Sequence, residues 1–191
     1  MGGNGMVERK SNLEKTVEYG LYGTPELKKE ERLRYLGEFR ERVLKALTVE
    51  QVEEPGVYPE ILDALCDPRA SKLILRRDID LERARDYLEL AKKKKVAFKR
   101  VDSPKFKGDI GLVVVSSNAV DESHILVEDR KERLRALGLS EDLINAVGKK
   151  LCLKCWNKIE TLYPKELINY RRITWLESLT GTRCAVCSRK K

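Results

Sequence analysis

Four of the five cysteines in this 191-residue chain fall in two pairs of one spacing, Cys152-Leu-Lys-Cys155 and Cys184-Ala-Val-Cys187, with 28 residues between the pairs. Thiolates separated by two residues can bind one ion from a tight turn, and two such turns complete a tetrahedron with sulfur about 2.3 Å from zinc. The gap is longer than the ~15 to 20 residues of the commonest zinc template, and a helical insertion closes it. With all four positions filled by protein, no place remains for a catalytic water. The expected cofactor is therefore structural zinc on Cys152, Cys155, Cys184 and Cys187. An iron–sulfur cluster, a redox pair and plain buried thiols use the same residue type and stay open at this point. Disulfides do not suit a chain without an export signal. Cys66, in the apolar run Ile61-Leu-Asp-Ala-Leu-Cys66, reads as core packing.

Charge concentrates around the same cysteines. From Lys149 onward eleven basic residues face three acidic ones, which leaves 28 of each sign upstream and puts the whole net charge of +8 in the last 43 residues. Zinc on four thiolates would lower that segment to about +6, still enough to attract polyanions. Lys149, Lys150, Lys154, Lys158, Arg171, Arg172, Arg183, Arg189, Lys190 and Lys191 are the expected phosphate contacts. Trp156, Tyr163, Tyr170 and Trp175 interleave with them, the composition of a surface that stacks on bases, although in so small a unit Trp156 and Trp175 are expected in the core. The run Lys92-Lys-Lys-Lys95 reads as a soluble helix end, where cations complement the helix dipole.

Residues for catalysis are sparse. His124, the single histidine, precedes an apolar run and is expected at a strand edge or on the surface. Lys107-Gly-Asp-Ile-Gly111 has neither the length nor the lysine of a phosphate-binding loop. No catalytic residues are assigned, and a non-enzymatic protein without a small-molecule substrate is expected. No apolar run approaches the ~20 residues of a membrane span and no basic-then-apolar leader is present, so the expected location is the cytoplasm, with no membrane partner.

The elements that would hold these residues follow from periodicity. Residues 1–10 are expected to form a flexible tail and Ser11–Gly20 a short capped helix. Thr24-Pro25-Glu26 opens a predicted long helix in which Leu33, Leu36, Phe39, Val43, Leu44 and Leu47 recur at helical spacing. Tyr58–Leu65 is predicted as a short helix, and a run of strands and helices follows: strand 72–75, helix 80–94 with Leu81, Ala84, Leu88 and Ala91 buried, and strands 96–98, 111–115 and 125–127. Further helices are expected over 130–137 and from Ser140 to Val147, a hinge at Gly148-Lys149-Lys150, a helix ending at Pro164, and another over 165–179.

Tyr19-Gly-Leu-Tyr-Gly-Thr-Pro-Glu26, the segment Tyr35-Leu-Gly-Glu-Phe-Arg-Glu-Arg-Val-Leu-Lys-Ala-Leu-Thr48 and the strands Val96-Ala-Phe98 and Gly111-Leu-Val-Val-Val115 together resemble the YueI-like family of small bacterial proteins, over roughly residues 17–130. The resemblance implies a compact mixed-sheet α/β domain sharing a broad fold with ribosomal proteins that bind kinked RNA. Those proteins use a Gly-x-Asn-Glu turn, where this chain has Gly56-Val-Tyr-Pro-Glu60 without the asparagine. The resemblance supplies no active site.

The expected organisation is a tail over 1–10, an α/β (α+β) domain with flanking helices over 11–147, and a small, helical, basic four-cysteine zinc module over 148–191. The expected function is RNA binding through that module. The alternative is an adaptor whose zinc module docks on an acidic protein partner.

Overall fold

The computed structural model describes residues 29–190. The tail over 1–10, the helix expected over 11–20, the start of the helix expected from Thr24, and Lys191 lie outside the described residues.

Four strands make one sheet: β1 (Val43–Thr48), β2 (Ala70–Arg76), β3 (Ala97–Val101) and β4 (Ile110–Ser116), in the order β1-β4-β2-β3. Strand β4 is antiparallel to both neighbours, and β2 and β3 run parallel. The crossover between those two is a helix, Leu81–Lys93, started by the Asp80 carboxylate, which accepts the Glu82 N–H at 3.0 Å. Alternation along the central strands divides the core in two. Leu73, Leu75, Leu112 and Val114 face one side, where helices Val49–Glu53, Pro59–Cys66 and Leu81–Lys93 cover them. Ile74, Ile110, Val113 and Val115 face the other side, with Tyr35 and Leu36.

The long helix expected from Thr24 to Leu47 is corrected. A helix covers Lys29–Arg34, and the chain then turns through Leu36 and Gly37 at φ 53° and 95°, with the Gly37 N–H donating to Arg32 O at 2.7 Å. That left-handed pair ends the helix and buries Leu36, and Val43–Thr48 emerges as strand β1. A register shift between Val43 and Lys45 against β4 breaks the strict alternation, so Leu44 and Leu47 point to one face while Val43 and Ala46 point to the other. The bulge imitates a helical period.

Other expectations shift in detail. The predicted strand 125–127 is a single parallel bridge, Ala46 to Leu126, so the four-stranded count holds with β1 in its place. In the crossover helix Leu81 is exposed, and Tyr87 joins Ala84 and Ala91 in the buried stripe. Cys66 is exposed and not core: it follows Asp63 on the outer side of its helix, while Ile61, Ala64 and Leu65 point inward. His124 is exposed, with its carbonyl bonded to Lys45 Nζ.

A third hydrophobic cluster holds the C-terminal elements: helices Arg130–Ala136 and Glu141–Ile144, a two-stranded parallel ladder of β5 (Lys150–Leu151) and β6 (Arg171–Arg172), helix Leu153–Leu162, and a 3-10 helix over Pro164–Asn169. The predicted helix 165–179 is thus three elements, the 3-10 turn, β6 and a short helix Trp175–Leu179. The buried residues come from both sides of Gly148, with Leu134, Leu139, Leu143, Ile144 and Ala146 packed with Leu151, Ile159, Tyr170 and Val186. Among the described residues no helix is long and apolar enough to cross a membrane.

Candidate metal centre and the basic face around it

Strand β5 delivers the first cysteine pair. Cys152 follows it as the N-cap of helix Leu153–Leu162, and Cys155 is buried in the first turn, with the Trp156 N–H donating to Cys152 O at 2.9 Å. The second pair returns to the same place because the Ala185 N–H donates to Lys150 O at 3.1 Å. Its turn is closed on Cys184 O by the Ser188 N–H at 3.1 Å and the Ser188 hydroxyl at 2.7 Å. The intervening chain makes the detour that the 28-residue gap requires, and the Ile173 N–H bonded to Leu151 O at 2.9 Å lays β6 beside the first pair.

The four sulfurs converge. Cys155 Sγ lies 3.5 Å from Cys187 Sγ and 3.7 Å from Cys184 Sγ, Cys152 and Cys187 are 3.8 Å apart, and all four lie within 4.8 Å of one another. A tetrahedron with sulfur about 2.3 Å from its centre has an edge of about 3.8 Å, whereas a disulfide would bring two sulfurs to about 2.05 Å. The donor set therefore fits one metal ion, which Cys152, Cys155, Cys184 and Cys187 would hold.

Local electrostatics begin the deprotonation that a metal needs. Burial pushes the Cys184 thiol up, but backbone N–H groups of Cys187, Cys152 and Val186 directed at its sulfur outweigh this and draw it down to about 6. Burial pushes Cys155 up instead, and the neighbouring sulfurs of Cys187, Cys152 and Cys184 add to the effect. A cation between the sulfurs removes that mutual penalty.

The sequence-derived basic residues separate into two kinds. Lys150 is engaged, bonded to Glu177 on the helix Trp175–Leu179. Lys149, Lys154, Lys158, Arg171, Arg172 and Arg183 are exposed, and none forms an ion pair among the described residues. Arg171 lines a cleft of about 320 Å³ whose other walls include Gly56, Asp86, Glu89 and Lys93. Arg189 and Lys190 continue from the second cysteine turn in a 3-10 helix, Cys187–Lys190.

Trp175 departs from the expectation of a core residue: it is 72% exposed, beside Leu176 at 57% and Leu179 at 75%. Trp156 is half-buried against the C-terminal cluster. The sequence reading also missed the polar seam that joins this unit to the sheet domain. Arg130 Nη1 donates to Glu166 Oε1 at 2.5 Å with both side chains buried, and Asn169 Nδ2 donates to the same carboxylate at 2.9 Å. Burial works against the Arg130 charge, and the Glu166 carboxylate outweighs it, holding the guanidinium protonated more firmly than usual. Arg133 pairs with Glu60, which also accepts the Tyr163 hydroxyl at 3.2 Å, and Lys165 reaches Asp63 at 2.5 Å. These residues carry no motif. Their one signal is the placing of Glu166 and Asn169 three apart among apolar neighbours.

Comparison with known proteins separates the two parts. A family of proteins of unknown function, DUF1694, matches residues 10–126. The uncharacterized protein YueI of Bacillus subtilis is 32% identical over 124 residues, which cover 65% of this chain and 92% of that protein. The crystal structure of YueI from Bacillus subtilis matches with a TM-score of 0.52 at 30% identity, covering 62% of this chain and 92% of that one. All four clustered cysteines fall after residue 126, beyond the family match.

Proposed function

We propose, for a chain that belongs to the DUF1694 family, a function carried by the part that the family match leaves out: a zinc-stabilised C-terminal unit that binds RNA through its phosphate backbone. One observation carries this reading. Six cations of this unit, Lys149, Lys154, Lys158, Arg171, Arg172 and Arg183, stand exposed without a carboxylate partner among the described residues. Unpaired surface cations in this number favour a polyanion, since each phosphate they neutralise releases a counterion.

Zinc is the proposed metal because a closed set of four thiolates at single-ion spacing suits a structural tetrahedral site. A polynuclear iron–sulfur cluster would spread the four thiolates over two or more irons, so that they would not all converge on one centre. The proposed unit spans residues 130–190, and the sheet domain ends before it. Retaining four thiolates on a metal suits a reducing compartment, and the cytoplasm is the proposed location.

The test is fluorescence anisotropy of a labelled RNA against the zinc-loaded chain over a range of salt. Six phosphate contacts on a single strand predict a slope of about −4 in log affinity against log salt. The double charge reversal Lys154→Glu with Lys158→Glu is expected to weaken binding and flatten that slope. No binding at low salt, or binding indifferent to salt, would overturn the reading. A second reading, an adaptor docking on an acidic protein partner, draws on the exposed apolar side of the helix Trp175–Leu179, and salt-indifferent binding to a protein would favour it.

A further inference from the structure

The helix Trp175–Leu179 is mounted with its polar side inward. Glu177 caps the helix through Thr174, accepting the Thr174 N–H at 3.0 Å, and bonds Lys150 on the body of the protein. At 100° per residue Trp175, Leu176 and Leu179 fall within an arc of about 100°, away from Glu177. They are the most exposed large apolar side chains among the described residues. A contiguous apolar face that the fold turns toward water is a contact surface.

Its surroundings select the occupant. Lys150 and Arg171 are register partners in the β5–β6 ladder, so their side chains share a face, and Lys150 reaches Glu177 from that face. Arg183 follows Thr182, whose N–H donates to Glu177 O at 2.9 Å, and precedes Cys184. Two exposed guanidinium groups that make no ion pair among the described residues, Arg171 and Arg183, thus belong to the segments that hold the helix by its Glu177 side. We infer that Trp175 is a stacking platform for unpaired bases, with Leu176 and Leu179 as its apolar shoulder and Arg171 and Arg183 on the flanking phosphates, so that the substrate is single-stranded RNA. Bases in a duplex are stacked on one another and offer no free face to an indole, whereas an open strand offers one at every nucleotide. The inference rests on the RNA reading above and deepens it by naming the strand form.

The experiment uses the zinc-loaded full chain with ~12-nucleotide oligouridine and oligoadenosine strands and a duplex of the two. Affinity is read by anisotropy, and stacking by quenching of tryptophan emission. Single strands are expected to bind about tenfold more tightly than the duplex, with quenching that disappears in Trp175→Ala. Trp175→Ala is expected to lose about tenfold in single-strand affinity, and Trp175→Phe to recover most of it. An exposed side chain leaves the fold intact in both variants, and a urea unfolding midpoint unchanged from wild type reports this. Equal binding of both strand forms with no effect of Trp175→Ala would overturn the stacking inference and leave backbone binding standing. Failure to bind any RNA would overturn both and assign the apolar face to a protein partner.

Discussion

The side-chain amide of Asn169 closes a two-bond ring on the backbone of Val57, accepting its N–H at 2.7 Å and donating to its carbonyl at 2.8 Å. Both groups are buried, and the ring fastens the C-terminal unit onto the Gly56 turn of the sheet domain. Gly56 has φ +100°, and a Cβ there would lie 2.9 Å from Asn169 Oδ1. Asn169 thus covers the Gly56 turn.

Asn169→Ala leaves a buried N–H and a buried carbonyl without partners, each worth about 1 to 3 kcal/mol. A loss of about 2 to 4 kcal/mol in urea unfolding is expected, and a loss below about 0.5 kcal/mol would show that the ring does not hold in solution. Gly56→Ala is expected to cost at least about 1 kcal/mol at the same seam, from the strained φ and the contact with Asn169.

The Arg130–Glu166 pair makes a different prediction. Removing one partner strands the other charge in the interior, so Glu166→Gln and Arg130→Met are each expected to destabilise by about 3 kcal/mol or more. Changing both together removes the charges in balance, and the double variant is expected to be much more stable than the sum of the single losses. Strict additivity in that cycle would mean that the pair is solvated.

Metal removal should act beyond the cysteines themselves. The hydrophobic cluster joins Cys155 and Cys184 to Leu134, Leu139, Leu143 and Ile144. Chelation is therefore expected to raise amide exchange from about residue 130 onward while the β4 amides stay protected. Cys155→Ser should reproduce this pattern and abolish one equivalent of bound metal. Exchange confined to residues beyond 148 would place the edge of the metal-dependent unit later in the chain.

Acid should release the helix that bears Trp175. The Lys150 ammonium, helped by the Thr174 N–H, holds the Glu177 carboxyl well down, to about 2. A folded-state pKa below the ordinary value of 4.5 contributes stability that is fully present above 4.5 and is lost as pH falls toward 2. Local exchange at Trp175–Leu179 is expected to rise across that window, and Glu177→Gln should show the raised exchange already at neutral pH.

The sequence made some of these features legible and concealed others for identifiable reasons. The cysteine cluster was visible because ligand spacing is a local property, and β2 and β4 because buried central strands are continuous apolar runs. Strand β1 was hidden by its bulge, which set Leu44 and Leu47 three apart and mimicked a helix. The exposure of Trp175 could not be read from composition, since an aromatic in a small unit normally belongs inside, and only the Glu177–Lys150 pair shows which way the helix turns. The Asn169 ring joins residues 112 positions apart and leaves no local trace.

That separation also imposes an order in time. On a chain made from its N-terminus, the residues of the sheet are all available once Ser116 has emerged. The peptide at Val57, however, waits for Asn169 to be synthesised, and until then water must serve in place of the amide. The turn at Gly56 is thus the last part of the first domain to be completed, and its closure records that the chain has been made as far as Asn169, with the second cysteine pair still to come.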